Sequence, residues 1–222
     1  MKTTNKEHVY YTKSASEASF LIKVLIYIVA FLAKILFWPV YHNTHYIPKK
    51  EELNESYFVM GNHSSLLDPV LLHLIIPDYV HWVAKKELFN IKILDKILEQ
   101  ARAIPLDREN VDINAMKMIR KLNSENKVIG LFPQGTRVDS DNYQEKLPEA
   151  GVASICTRYN VTILPVFCDG PYKLFRKNHF YFSAPFCLNP NIKAENKQER
   201  NQILTNEIVR RSYNIVGKSY FE

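Results

Sequence analysis

A chain of 222 residues, nearly half of them hydrophobic, is long enough to bury one sizeable core and carry a helical appendage. Its 29 Lys and Arg against 23 Asp and Glu leave a net charge of +6, which suits an anionic membrane surface, a phosphorylated substrate or an acidic carrier protein. Nucleic acid fits poorly, because zinc-finger spacing, a long arginine-rich run and an RNA-binding aromatic motif are all missing. Three cysteines without a C-x-x-C pair predict reduced, buried thiols, and His42 and His45 lack the neighbouring ligands that a metal needs. Six glycines form no Walker or dinucleotide fingerprint, so no metal and no nucleotide cofactor is expected.

The first predicted element is an apolar helix over 20–38, interrupted only by Lys23 and Lys34. Its longest uncharged stretch, 24–33, is too short to cross a bilayer alone. Eleven steps of about 100° bring the second lysine within about 20° of the first. Thr12, Ser16, Ser19, Tyr27 and Ala30 fall near the same meridian, giving a narrow polar or small stripe on a greasy cylinder. That pattern predicts a monotopic, interfacial helix whose lysines reach the lipid phosphates from the cytoplasmic side. A helix packed on the protein's own core is the competing reading. A signal peptide is disfavoured by Trp38, Pro39, Val40 and Tyr41, which offer no small-residue cleavage site.

After a charged break at Lys49, Lys50, Glu51 and Glu52, short apolar runs alternate with helical patterns. Strands are predicted over 57–60, 81–84, 103–106, 128–132 and 161–167, and helices over 69–76, 91–100, 112–124 and 149–159. An edge strand within 179–188 and a terminal helix over 197–216 complete the pattern. The expected fold is α/β: a mixed, largely parallel sheet flanked by helices, with an N-terminal membrane-associating helix. Residues 1–48 are expected to form the membrane-associating segment and 49–222 the α/β domain.

The most informative segment is Gly61-Asn62-His63-Ser64-Ser65-Leu66-Leu67-Asp68-Pro69. Five residues apart on a helix, His63 and Asp68 would sit about 140° apart, so a turn must separate them for their side chains to meet. Asp68 before Pro69 predicts an N-cap with proline at the first helical position, leaving His63 in a strand-to-helix loop. Asp68 folding back onto one ring nitrogen makes His63 a candidate base; the plain alternative is a capping aspartate beside an ordinary loop histidine. If the strands before His63 and before Phe132 are parallel, both loops open on one sheet edge, where α/β folds bind ligands.

Together with Arg102-Ala103-Ile104-Pro105-Leu106-Asp107-Arg108, Phe132-Pro133-Gln134-Gly135-Thr136-Arg137 and Ile163-Leu164-Pro165-Val166, this segment resembles, in order and spacing, the four motif blocks of the glycerolipid acyltransferases. The resemblance covers about residues 57–170. Asn62, His63 and Asp68 match the first block. The third block is usually Phe-Pro-Glu-Gly-Thr-Arg-Ser, so Gln134 and Val138 depart from it, and Glu149 and Ala150 stand before Gly151 where a lysine is usual.

The resemblance implies an O-acyltransferase of phospholipid biosynthesis that moves a fatty acyl group from acyl-CoA or an acyl carrier protein thioester to the hydroxyl of a lysophospholipid such as 1-acyl-glycerol-3-phosphate. His63 would be the general base and Asp68 its orienting partner. Lys85, Arg108 and Arg137 would bind the substrate phosphate, with Gln134, Gly135 and Thr136 in the acceptor or oxyanion loop. Direct transfer is expected over acylation of Ser64 or Ser65. Three alternatives stay open: another lysolipid or an amino acceptor, a thioesterase in which water replaces the acceptor, and a lipid-binding relic without turnover.

Overall fold

The structure, a computed structural model, describes residues 20–49, 55–108, 110, 112–139 and 142–220, and of 21–23 and 26 only the backbone. Thr12, Ser16 and Ser19 of the predicted stripe lie outside the described residues. Seven strands form one sheet: β1 Pro39–His42, β2 Tyr57–Gly61, β3 Val80–Lys85, β4 Ile104–Leu106, β5 Val128–Leu131, β6 Thr162–Cys168 and β7 Asn178–Phe182, in the order β1-β7-β6-β2-β5-β3-β4. Every neighbouring pair is parallel except β6 with β7. The helices are α1 Phe20–Phe37, α2 Asp68–Leu72, α3 Lys92–Gln100, α4 Ile113–Ser124, α5 Gly151–Arg158 and α6 Lys197–Asn214.

Apolar side chains on both faces explain the strand sequences. Successive residues of β2 point to opposite faces, so Phe58 and Met60 join the core beneath α4, α5 and α6, whereas Tyr57 and Val59 join the core beneath α1 and α2. All five β2 residues are buried, as expected for a parallel strand covered on both sides. Local chemistry sets several helix starts. The carboxylate of Asp112 accepts from the Ala115 amide at 2.9 Å, and the Asn196 side chain accepts from the Glu199 amide at the same distance.

The largely parallel sheet agrees with the sequence-based expectation, and so do the five strands β2 to β6, to within a residue or two at each end. Three details differ. Residues 39–42 form a strand that four residues could not announce by periodicity; it pairs with β7, so the sheet begins ahead of residue 49. That pairing also places β7 one strand inside the edge. Asp68 does not cap α2, but is its first residue, preceded by Leu67 in helical conformation.

α1 is turned inside out relative to an ordinary surface helix. Ala30 and Ala33 are buried, while Leu25, Ile28, Phe31, Leu32 and Ile35 are exposed. The small residues let α1 approach α2 closely, and the large ones face outward. No helix among the described residues is long and apolar enough to cross a membrane.

Gly61 pairs with Val166 across β2 and β6, and a Cβ at Gly61 would lie 1.8 Å from the Val166 carbonyl oxygen. That obstacle is backbone and cannot swing aside. Gly61→Ala is expected to destabilise the fold by about 3 kcal/mol, read as a lower urea midpoint with an unchanged slope. A wild-type midpoint would show that the two strands separate freely at this point.

Candidate active site

The C-terminal ends of β2, β3, β4 and β5 share one edge of the sheet, and the loop after each strand carries part of the candidate site. His63 and Asp68 follow β2, Lys85 ends β3, Arg108 follows β4, and residues 134–137 follow β5. The expected convergence on one edge is therefore met.

At the centre, the His63 imidazole meets Asp68 through Nδ1 and Oδ2 at 2.7 Å. The same oxygen accepts from the amides of Ser64 at 2.8 Å and Ser65 at 3.0 Å, and Oδ1 accepts from the Tyr172 hydroxyl. A carboxylate with no solvent exposure thus has four donors. This is why Asp68 turns back into the loop: its oxygens hold the two amides between it and His63. An ionised Asp68 keeps the hydrogen on Nδ1 and presents Nε2 as an acceptor. His63 is 16% exposed.

The other face of the imidazole is fixed by stacking. Phe132 lies parallel to His63 at 4.1 Å between centroids, and Trp82 lies parallel to Phe132 at 5.1 Å. Trp82 fits because Gly130 lies opposite it on β5; a Cβ there would come within 2.4 Å of the indole. The His63 carbonyl also accepts from the Val138 amide at 2.8 Å. The departure at Val138 leaves this link intact, because the bond uses backbone. Asn62 is buried and pairs with both the amide and the carbonyl of Cys168, each at 2.8 Å, extending the β2–β6 ladder past its last strand residue.

Neither neighbouring serine is poised as a nucleophile. Ser64 Oγ donates to the Cys168 carbonyl at 2.7 Å, and Ser65 Oγ accepts from the Leu67 amide at 3.2 Å. Cys156 and Cys168 are buried, and burial pushes both thiols up, Cys156 to about 12, so they stay protonated. Cys187, expected to be buried like the others, is exposed.

The predicted phosphate-binding cations divide into three kinds. Arg137 is exposed, with no hydrogen-bond or ion-pair partner among the described residues. Lys85 is half-exposed beside Glu87 at 3.5 Å. Arg108 is half-buried and donates to the Gly135 carbonyl, so it braces the 134–137 loop. Burial pulls its guanidinium pKa down, while the nearby Glu149 and Glu87 offset part of that pull. Gly135 is required here, since it sits at φ +70 and a Cβ would come within 2.6 Å of Arg108 Nη1.

Two members of the loop are engaged within the protein itself. The Gly135 amide donates to the Phe132 carbonyl at 2.9 Å, so the turn uses it. Gln134 has no exposed surface. Its Nε2 donates to the carbonyls of Tyr143 at 3.0 Å and Lys146 at 3.1 Å, and its Oε1 accepts from Tyr213 at 3.4 Å. It ties the 143–146 segment down. Thr136 is exposed beside it. Lys146 pairs with Glu149 at 3.8 Å.

Tyr172 is the residue that sequence reasoning missed. It lies over a hundred positions from Asp68, in a loop where nothing but its aromatic character stands out. Burial pushes its phenol pKa up, and Cys168 and Asp68 add to the shift, so the hydroxyl remains a donor. Phe37 and Phe180 hold the ring in place.

Replacing Gln134 by glutamate would aim a buried carboxylate at two carbonyl oxygens. Burial raises the folded-state pKa of such a group above its unfolded value. Gln134→Glu is therefore expected to lose little stability at pH values below the unfolded pKa and progressively more as pH rises through the folded one. Urea midpoints measured at pH 4 and pH 8 check this, and equal losses at the two would refute it. Tyr172→Phe removes one donor from Asp68 and is expected to lower kcat about tenfold with little change in KM. A kcat within twofold of wild type would make Tyr172 a packing residue.

The acyltransferase family model matches residues 39–169, more than half of the chain. The 1-acyl-sn-glycerol-3-phosphate acyltransferase of Bacillus subtilis is 32% identical over 134 residues, covering 58% of this chain and 65% of that protein. The enzyme of the same name from Streptococcus pneumoniae is 32% identical over 150 residues, covering 64% and 53%. The matched region thus spans between half and two thirds of these relatives. The crystal structure of the 1-acyl-sn-glycerophosphate acyltransferase PlsC from Thermotoga maritima aligns with a TM-score of 0.55 and 18% identity, over 91% of this chain and 97% of that one, a likeness of fold. With the family model spanning the strands and loops that carry His63, Asp68, Arg108 and Arg137, this chain belongs to the acyltransferase family.

Proposed function

We propose that this protein moves a fatty acyl group from a thioester to the free hydroxyl of 1-acyl-glycerol-3-phosphate, giving phosphatidic acid. The observation that carries the reading is the His63–Asp68 pair, held at 2.7 Å with neither neighbouring serine hydroxyl bonded to the ring. In a serine hydrolase the enzyme's own hydroxyl occupies the other nitrogen. Here the substrate hydroxyl takes that place.

The hydroxyl loses its proton to Nε2 of His63 as its oxygen attacks the thioester carbonyl carbon. Asp68 stabilises the resulting imidazolium. When the tetrahedral intermediate collapses, the carbon–sulfur bond breaks and the departing thiolate takes the proton back. No covalent enzyme intermediate forms. Arg137 offers the acceptor phosphate an uncommitted planar fork, and Lys85 adds charge at the same sheet edge. The donor is acyl-CoA or an acyl carrier protein.

The acceptor is dissolved in lipid, which requires the enzyme to reach the interface. The outward Leu25, Ile28, Phe31, Leu32 and Ile35 of α1 support a monotopic attachment, with Lys34 at headgroup depth and the domain on the cytoplasmic side. The helix C-terminus lies at the site itself, since Phe37 packs edge-on against Tyr172 at 6.4 Å.

Incubating the protein with lysophosphatidic acid in vesicles and each donor, followed by mass spectrometry of the lipids, tests the reaction. Phosphatidic acid is the expected product, and release of free fatty acid alone would indicate a thioesterase. His63→Ala is expected to abolish transfer, and Asp68→Asn to lower it roughly 10²-fold or more. Rates within twofold of wild type would overturn the base assignment. Arg137→Ala should weaken use of lysophosphatidic acid far more than use of monoacylglycerol; equal losses on both would give Arg137 a role in the loop or the donor site.

A further inference from the structure

We propose that α3 is a second membrane-docking element, whose outward face of Ile93 and Ile97, bordered by Lys92 and Lys96, inserts into an anionic lipid surface beside the catalytic edge. The proposal rests on the reading that the acceptor is drawn from a bilayer.

A surface helix normally turns its apolar stripe inward and its charges outward. α3 departs from this in a specific way. Ile93 is 75% exposed and Ile97 50%, with Lys92 and Lys96 exposed next to them. Asp95 and Glu99 are half-exposed, about 180° and about 140° around the helix from the two isoleucines. At about 100° per residue, with Lys92 at the origin, Lys96 falls near 40°, Ile93 near 100° and Ile97 near 140°. The two acids fall near 300° and 340°. The face centred on the two isoleucines therefore carries no acid, and the lysines stand between that face and the carboxylates.

This arrangement complements a negatively charged bilayer. Isoleucine enters the acyl boundary, lysine stems lie along it with their ammonium groups at the phosphates, and the carboxylates lie beyond the lysines, away from the isoleucines. A folded protein partner would have to supply a groove for this convex face, whereas a bilayer deforms around it.

Position supports the same occupant. α3 follows β3 through the turn Lys86–Asn90, so it starts from the edge where Lys85 stands. Leu66, in the His63 loop of that edge, is 66% exposed. α1 reaches the same edge from the other flank through Phe37 and Tyr172. α1 leads into β1 at one end of the sheet and α3 into β4 at the other, so the motif loops lie between them, and a surface engaging both helices would turn those loops toward the lipid that holds the acceptor.

The full chain is tested by flotation with vesicles of mixed phosphatidylglycerol and phosphatidylcholine and with pure phosphatidylcholine, and by amide hydrogen exchange with and without the mixed vesicles. α3 amides are expected to gain protection with vesicles. Ile93→Ser with Ile97→Ser should lower the partition coefficient about tenfold without moving the melting temperature. Lys92→Ala with Lys96→Ala should weaken binding to the mixed vesicles several-fold and to pure phosphatidylcholine little. Unprotected α3 amides, or both variants floating like wild type, would overturn the proposal. So would protection by an acidic acyl carrier protein in place of vesicles, or a dimer that the isoleucine variant dissolves. Binding is read without turnover, so intact α3 docking with no phosphatidic acid formed would count against the proposed reaction alone.

Discussion

The Asp68 carboxylate is the constraint on which this site depends. A carboxylate without solvent is costly to bury unless its lone pairs are filled. Four donors fill them here: two backbone amides, a phenol and the His63 ring. Each donor is positioned in turn by the need to satisfy that charge. The two amides give the loop its shape, the phenol draws in the 172 segment, and the imidazole is left with one orientation. Pairing and stacking act on different atoms of His63, so its tilt and its rotation are set separately.

Around that centre, the motif loops are tied together largely through main chain. Val138 offers its amide to the His63 carbonyl, Gly135 its carbonyl to Arg108, and Cys168 both its backbone groups to Asn62. Backbone links tolerate a change of side chain, which accounts for valine at 138 where the family usually has serine. Gln134 is a different case. Its amide gives two hydrogen bonds, which a carboxylate cannot do, so glutamine belongs to the particular path that residues 143–146 take in this chain. The departure that bore most directly on acceptor identity concerns a buried brace.

The periphery has its own logic. α1 and α3 both turn large aliphatic residues outward, and both border the edge where the motif loops converge. α1 packs through the small side chains of Ala30 and Ala33, whereas α3 directs its acids away from its exposed isoleucines. Different local solutions thus leave apolar surface next to the chemistry, consistent with a substrate held in lipid.

The sequence by itself determined the central strands, the order of the motif loops and the pairing of His63 with Asp68. Those features rest on short-range patterns: apolar runs between turn residues, and a histidine and aspartate separated by a spacer too long for one helical face. Even the convergence of distant loops was legible, because parallel strands must end on the same edge. Tertiary structure alone decided the rest. β1 is a strand because β7 offers it an unpaired edge. Tyr172 reaches Asp68 because the loop after β6 folds over the end of β2. Gln134 is buried because Tyr213 and the 143–146 segment close over it. α3 shows its isoleucines because no other element among the described residues covers that side. For β1, for Asp68 and for the Gln134–Tyr213 contact the partner lies far along the chain, and only folding brings it within hydrogen-bonding or packing distance.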